Sequence, residues 1–479
     1  MAAPIAASGV NVSTSGSPYR VVLRLATPTI LAMLAQSAVN EIDIIFFARL
    51  PCPESSNAQA ALLPSLILLW MFGGSLSAIS VGTQAIAARR FAERRPTDAG
   101  GVLLNSWLFS LVSGIVFTLL GYLAMPFVLS ALIKVPEVRE AARGYLGWRL
   151  LGITSMAMTF SFKAFFDGIG KTYVHMVSSI VMNIINVVLC VMFIFGMWGA
   201  PRMGMAGAGF AGFVSTWVGL AIMIAWAMSP QLARRFEPFA LGRWSRRITS
   251  DILRLSIPSA VATVAVMSGF ALFSMIVSHL DSTSHAEVVS ASCPGGHAEA
   301  VNSAATMLIV GILKLTFTAC LAFGTSTATL VSQSLGEGDP DRATRFGWVS
   351  VRLGLVIFGV VGLLEGVVFT RPLLSVVTHS PAVLEAALGP MRLMGICTPL
   401  IATGMILTQA LFGAGNTRFV MLVELVLHFL CLVPLAWLLG ITMGFGLKGI
   451  WASATTYVVL LTAVMVWKFK TGDWRDIRL

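Results

Sequence analysis

Two carboxylates lie close together near the end of an otherwise apolar run, in the stretch NEIDIIFFARL (residues 40–50). A carboxylate inside a membrane-spanning helix is costly unless it faces a polar interior, has a partner or accepts a proton. Asp43 is therefore the leading candidate for a group that couples an ion. It could cycle between its protonated and charged forms, or bind Na⁺ together with Asn40, one helical turn earlier. The alternative is a purely structural aspartate at a helix end. Glu41 points to another face, where we expect it in solvent.

The second half of the chain holds a different set of ionisable residues in apolar surroundings. Glu424 and His428 are spaced i, i+4 and share a helix face. We interpret them as a second proton-responsive pair; a simply packed histidine is the alternative. Lys314 has no acid four residues before or after it. It must therefore face a cavity or pair across helices. Glu365 is a further embedded acid, and we predict that it and Lys314 could also respond to protons.

The elements that position these residues are membrane-spanning helices. The chain has 479 residues, of which 57% are hydrophobic and 11% charged, and its mean hydropathy is +0.85. Soluble domains carry about 25% charged residues. Long apolar runs predict α-helices, because a lipid-exposed backbone must satisfy its own hydrogen bonds. We predict an all-α polytopic membrane protein with about twelve spans, near residues 26–48, 62–88, 102–125, 145–166, 174–196, 205–227, 255–279, 304–332, 347–369, 391–412, 419–440 and 449–468.

The two halves of the sequence repeat each other. LRLATP (23–28) returns as LRLSIP (253–258), and GIGKT (168–172) returns as GAGNT (413–417). Six spans in each half predict a parallel repeat of two pseudo-symmetric six-helix bundles, an arrangement suited to alternating access. We divide the chain into an N-terminal lobe (1–228), a cytoplasmic linker (229–250) and a C-terminal lobe (251–479). Pro28 and Pro258 occupy symmetric positions and are predicted bending points.

The basic residues predict membrane orientation. The net charge is +11, and its clusters fall in loops on one side of the twelve spans. This bias indicates a multi-pass protein of the inner membrane with both termini in the cytoplasm. We read the clusters as topology signals and expect no nucleic-acid partner. They are Arg89, Arg90, Arg94 and Arg95, then Arg234, Arg235, Arg243, Arg246 and Arg247, then Lys468, Lys470, Arg475 and Arg478.

Enzyme chemistry finds little support in the sequence. The six cysteines show no metal-ligand spacing, and GIGKT lacks the full spacing of a phosphate-binding loop. A membrane-embedded enzyme is therefore the weaker alternative, and we expect neither a cofactor nor a bound metal. Cys52 and Cys293 fall in the first and seventh loops on the outer side, where a disulfide between them stays open as an interpretation.

Several motifs in order resemble the multidrug and toxic compound extrusion (MATE) family of cation-coupled antiporters. The resemblance covers nearly all of residues 20 to 470. It rests on LATPTILAMLAQSAVNEIDIIFFARL in the first span, VGTQAIAARRFAE in the second, AFGTSTATLVSQSLGEGDPDRA in the eighth, and the turns FFDGIGKT and LFGAGNTR after the fourth and tenth.

The resemblance implies a monomeric antiporter that exports organic, cationic or amphipathic compounds in exchange for H⁺ or Na⁺. It places Asn186 of the fifth span near Asp43 and Asn40. Cys190 stands where one branch of the family has a second aspartate. Cation binding near Asp43 would bend the first helix at Pro28. A lipid-linked oligosaccharide flippase of the same superfamily is the alternative.

This sequence departs from the family at its usual coupling residues. Val266 and Ile401 stand where another branch has acids, so Asp43 lacks the expected carboxylate partners. A lone carboxylate favours a proton over Na⁺. The turn after the fourth span carries Asp167 and Lys171 where the family has the opposite charges, so we expect a reversed charge pair. Lys163 is expected to extend to the membrane interface.

Overall fold

A computed structural model describes residues 17–51, 53–133, 135–283, 287–289, 298–378, 380–477 and 479. The first half consists of helices that run back and forth through the bundle. They are α1 (Pro18–Ala48), α2 (Glu54–Phe72), α3 (Ile79–Ala92), α4 (Pro96–Leu132), α5 (Pro136–Leu151), α6 (Ile153–Gly168), α7 (Thr172–Phe195) and α8 (Met205–Ala227). The helix α9 (Pro230–Phe236) lies in the segment that links the halves.

The second half repeats this pattern. Its helices are α10 (Arg246–Thr283), α11 (Val301–Gly336), α12 (Pro340–Leu363), α13 (Thr370–Val377), α14 (Pro381–Ala414), α15 (Thr417–Val426), α16 (Val433–Trp437) and α17 (Gly446–Thr471). A short antiparallel pair of strands, β1 (Glu287–Val289) and β2 (Ala298–Ala300), lies between α10 and α11. The prediction of an all-α bundle with twelve spans, six in each half, is confirmed.

Several spans are interrupted rather than continuous helices. The second span is α2 and α3 joined by the 3-10 segment Gly74–Ala78, and the fourth is α5 and α6. The eleventh is α15 and α16 with the π-helical segments Leu427–Leu432 and Leu438–Thr442. Ten helical stretches of the described chain are individually long and apolar enough to cross a membrane; α1 and the divided α5–α6 pair complete the twelve.

The halves interlock at the end of the bundle where α1 begins. We call this the basic end, because the arginines that follow α3 and those of α9 lie there. Val22 and Leu25 of α1 are buried in an apolar cluster of the second half, beside Leu330 and Phe346. Reciprocally, Leu255 of α10 is buried in a cluster of the first half. Each half therefore contributes one helix end to the apolar core of the other at this end.

Candidate functional site

Asp43 lies buried near the end of α1, beside α7. Its Oδ1 is 3.7 Å from the Sγ of Cys190, which is in turn 3.8 Å from the Oδ1 of Asn186, one helical turn earlier. The Asn186 side chain donates to the hydroxyl of Ser215 on α8, at 3.2 Å. The structure thus brings together Asp43, Asn186 and Cys190. Their role in ion coupling stays a prediction, and the side chain of Asn40 lies outside the described residues.

Arg149 on α5 is the residue near Asp43 that the sequence analysis missed. Its guanidinium attracts the Asp43 carboxylate electrostatically and lies 5.8 Å from the centre of the Tyr145 ring. Its Nε is buried and has no hydrogen-bond partner among the described residues. Gly212 of α8 makes room for it, since a Cβ there would lie 2.2 Å from Nη1. A fixed positive charge therefore stands near the carboxylate.

The signal for Arg149 was present in the sequence. It falls inside the predicted fourth span, in GYLGWRLL, four residues after Tyr145. Residues at this spacing share a helix face, so the arginine and the buried tyrosine point the same way. An arginine inside a span is costly, as a carboxylate is, and is equally a candidate functional residue.

In the second half, the buried Glu424 and His428 form a three-residue group with a partly buried tyrosine. The imidazole Nδ1 of His428 lies 3.3 Å from the Oε2 of Glu424 and 2.9 Å from its backbone carbonyl. Tyr457 of α17 donates its hydroxyl to the same carboxylate oxygen at 2.9 Å, and its ring centre lies 4.5 Å from that of the histidine. The predicted proximity of Glu424 and His428 is present, and Tyr457 is the partner that the sequence analysis missed.

The glycine that faces this group explains how the histidine fits. A Cβ on Gly269 of α10 would lie 2.5 Å from the Cδ2 of His428. The first π-helical segment of the eleventh span, Leu427–Leu432, includes the histidine. Such π-segments often mark functional sites. The group can hold a proton that is shared between the carboxylate and its neighbours.

Glu365 and Lys314 lie outside both groups. Glu365 lies in the π-helical turn after α12, Leu364–Val368, where its Oε1 accepts a hydrogen bond of 2.6 Å from Thr316 of α11. Lys314 is half-buried on α11, one turn before Thr318, whose hydroxyl lies 3.4 Å from that of Ser37 on α1. Lys314 therefore lies on the helix that faces the other half. A role in proton movement stays a prediction for both residues.

Two expectations about charges near the fourth span are wrong. Lys163 does not extend to the interface: its side chain is 14% exposed and its Nζ lies 3.0 Å from the Oδ2 of Asp167. Asp167 is thus paired with Lys163, one turn earlier on α6, and not with Lys171. The pair is buried where α6 packs on α3 and α11, so each charge needs the other.

Residues in the motifs of the second and eighth spans form hydrogen bonds that close the basic end between the halves. Gln84 of α3 donates to the carbonyl of Thr325 at 2.9 Å and to the hydroxyl of Thr329 at 2.8 Å, both on α11. Ser332 donates to the carbonyl of Ala85 at 2.7 Å. Gly82 allows α10 to approach α3 as well, since a Cβ there would lie 2.5 Å from a carbonyl oxygen of α10.

Further contacts extend this seal toward the surface. Gln333 of α11 donates to the carbonyl of Gly168 at 2.7 Å. Arg89 of α3 is buried and donates to the carbonyls of Ala414, at 2.8 Å, and Ile477, at 2.5 Å. The conformation described here is therefore closed between the halves at the basic end.

Comparison with known proteins identifies the architecture. The MatE family model matches residues 28–192 and 295–438. The chain belongs to the MATE family. It is 23% identical to the "Probable multidrug resistance protein NorM" of Thermotoga maritima, over 94% of this chain and 92% of that protein. It is 24% identical to the "Multidrug resistance protein PmpM" of Pseudomonas aeruginosa, over 90% and 86%.

The solved structures agree on the fold. A MOP superfamily transporter from Pyrococcus furiosus superimposes with a TM-score of 0.84 at 19% identity, over 95% of this chain and 96% of that one. This likeness supports the bundle of two six-span halves. Cys52 and Cys293, between which a disulfide was left open, lie outside the described residues of this MATE protein.

Proposed function

We propose that this MATE protein is a proton-coupled antiporter that exports cationic or amphipathic organic compounds. The relatives that it resembles over nearly their whole length are named as multidrug resistance proteins. The observation that carries the coupling mechanism is the buried Asp43 carboxylate beside a thiol and near a guanidinium. We further propose that the basic end faces the cytoplasm and that the protein works as a monomer in the inner membrane.

The surroundings of Asp43 favour a proton over Na⁺. Hard cations prefer several oxygen ligands, whereas Cys190 presents sulfur to the carboxylate. The positive charge of Arg149 repels a second fixed cation. A proton avoids this penalty, because it neutralises the carboxylate instead of coordinating to it.

The same arrangement links protonation to cargo release. While Asp43 is ionised, it offsets the charge of Arg149, so a cationic compound can occupy the first half. Once Asp43 is protonated, the guanidinium charge is no longer offset, and the local potential repels the cargo. Proton entry and cargo exit would thus use one electrostatic element, with the basic end closed so that release occurs toward the opposite end.

We propose that Glu424, His428 and Tyr457 form a second proton-binding group in the other half. Their direct contacts, 2.9 to 3.3 Å, allow a proton to be shared among the carboxylate, the imidazole and the phenol. In the part of the chain that the structure describes, no hydrogen bond or ion pair joins a guanidinium to these three side chains. Protonation there would alter the packing between α15, α17 and α10 more than it would alter the electrostatic potential between the halves.

Transport in proteoliposomes tests this function. We expect a pH gradient alone to drive movement of a fluorescent organic cation, and a Na⁺ gradient alone to have little effect. Cys190→Ser is the matched control for Cys190→Asp, because it places an oxygen atom beside Asp43 without adding a negative charge. Cys190→Asp should introduce Na⁺ dependence by adding anionic oxygen. Transport driven by Na⁺ but not by a pH gradient in the unmodified protein would contradict the proposal.

A further inference from the structure

A cavity of about 810 Å³ lies between the halves at the basic end. Five of its lining residues are arginines, from α3 and the turn after it (Arg90, Arg95), from α10 (Arg247, Arg254) and from α15 (Arg418). We propose that this cavity binds a phosphate-bearing anion, supplied either by the headgroup of an anionic phospholipid or by a free phosphate compound. Binding there is separate from the transport chemistry around Asp43.

The charges that line the cavity are not balanced. Two aspartates face the five arginines, which leaves 5 − 2 = 3 excess positive charges. Asp98 is already engaged by Arg95 at 2.5 Å. Arg247, Arg254 and Arg418 are exposed to the cavity and make no hydrogen bond or ion pair with any residue that the structure describes. A phosphate group presents the geometry that guanidinium groups bind in bidentate fashion.

The backbone supplies further donors to the same space. The turn GAGNT, which the sequence repeats in both halves, contributes Gly415, Asn416 and Thr417 to the cavity wall. Thr417 begins α15, a helix of ten residues, and the side chain of Asn416 makes no capping hydrogen bond. The first N–H groups of that helix have no intrahelical acceptor and favour an anion. Unengaged arginines and free backbone donors therefore converge on one cavity.

A bound anion would bridge the two halves. Arg90 and Arg95 belong to the first half, whereas Arg254 and Arg418 belong to the second. The cavity borders the hydrogen bonds by which Arg89 holds the carbonyls of Ala414 and Ile477. An anion held by both halves would stabilise the closed basic end and slow its opening.

Direct binding to the purified full chain tests the proposal without relying on transport. Pyrophosphate is the soluble probe, titrated in uncharged detergent at constant ionic strength. Nanodiscs of phosphatidylglycerol, compared with phosphatidylcholine, are the lipid probe, with thermal unfolding as the readout. Saturable pyrophosphate binding would identify a soluble ligand, and stabilisation by phosphatidylglycerol alone would identify a headgroup. Either result supports the site. The proposal is overturned if pyrophosphate does not bind saturably and phosphatidylglycerol does not stabilise the protein.

The variant Arg254→Gln/Arg418→Gln locates the binding. Losing two charge-assisted contacts should weaken it at least about tenfold. The control Arg246→Gln/Arg345→Gln removes the same charge from exposed arginines that do not line the cavity, and it should bind like the unmodified protein. If the double variant folds poorly, Arg418→Lys replaces it in the test. This variant keeps the charge but loses the bidentate fork, so it should weaken binding by a smaller factor. Equal weakening in the control and the cavity variant would show non-specific attraction and overturn the proposal.

Discussion

The buried acids of the two halves occupy different places in the repeat. Asp43 lies on the first span, and the offset of the LRL motifs, 258 − 28 = 230, places Phe273 at the equivalent position of the seventh. Glu424 lies on the eleventh span, and the offset of the GxGxT turns, 413 − 168 = 245, places Ser179 at its equivalent in the fifth. Duplication has therefore preserved the scaffold, and each half carries its acid where the other has a neutral residue.

The partners of the acids differ in the same way. Gly204 before α8 and Gly446 at the start of α17 have similar positive φ angles, 56° and 58°, which aligns the sixth and twelfth spans with an offset of 242. Tyr457 then corresponds to Ser215. Tyr457 binds its acid directly, whereas Ser215 reaches Asp43 only through Asn186 and Cys190. The first half adds a guanidinium nearby, while the second half uses neutral hydrogen-bonding groups.

This difference leads us to expect unequal roles. A carboxylate near a fixed charge sets the local electrostatic potential, so its protonation should change the affinity for a charged cargo. A carboxylate in a closed hydrogen-bonded group mainly changes how its helices pack. Neutralising each acid in turn and exchanging its partners tests whether the two halves differ in this way.

Asp43→Asn should have the largest effect. The asparagine side chain does not bind and release a proton in the way that a carboxylate does. Proton binding at this site therefore no longer favours one conformation of the transporter over the other. We expect transport driven by a pH gradient to fall at least about 100-fold, the scale of a strong population shift. The measurement is uptake into proteoliposomes at matched protein content. Full activity of the variant would remove Asp43 from the coupling mechanism.

Glu424→Gln should have a smaller effect than Asp43→Asn. The glutamine keeps most of the shape and can still accept from Tyr457, so the packing of α15 against α17 should persist. We expect about a tenfold reduction in transport, in keeping with the loss of one charge-assisted hydrogen bond. The same uptake assay measures it. A loss as large as that of Asp43→Asn would mean that both halves couple protons equally, and the proposed asymmetry would be wrong.

Arg149→Gln should change the pH dependence more than the maximal rate. The positive charge of Arg149 stabilises the ionised form of the acid that it faces. Without this charge, Asp43 holds its proton more firmly, so the pH profile of transport should move toward higher pH. Arg149→Lys is the control, because it retains the charge. If both variants keep the profile of the unmodified protein, Arg149 has only a packing role against Gly212 and Tyr145.

The sequence was sufficient for the spans and for one half of the site. Apolar runs of membrane-spanning length predicted the twelve spans, and the resemblance placed Asn186 and Cys190 beside Asp43. Arg149 was missed because a single arginine in a moderately polar segment resembles an interfacial residue. Tyr457 was missed because the pairing of α17 with α15 depends on tertiary contact. Lys163 was misplaced because its distance from the interface depends on how α6 packs.

The smallest effects should come from the neutral partners. Tyr457→Phe removes a hydroxyl that donates 2.9 Å from Glu424 and leaves the ring beside His428. One such bond contributes about 1 kcal/mol, so transport should fall by about fivefold. Ser215→Ala, the equivalent change in the first half, removes a bond to Asn186 and not to the acid itself, so its effect should be smaller still.

Measuring the pH profile of both variants separates coupling from packing. If Tyr457 helps to hold the shared proton, Tyr457→Phe should shift the profile as well as lower the rate, while Ser215→Ala should leave the profile in place. If Tyr457 has only a structural role, Tyr457→Phe should lower the midpoint of thermal unfolding without moving the pH profile of transport. Equal shifts of the pH profile in the two variants would instead give Ser215 and Tyr457 the same role. The neutral partners would then follow the symmetry of the repeat, even though the acids do not.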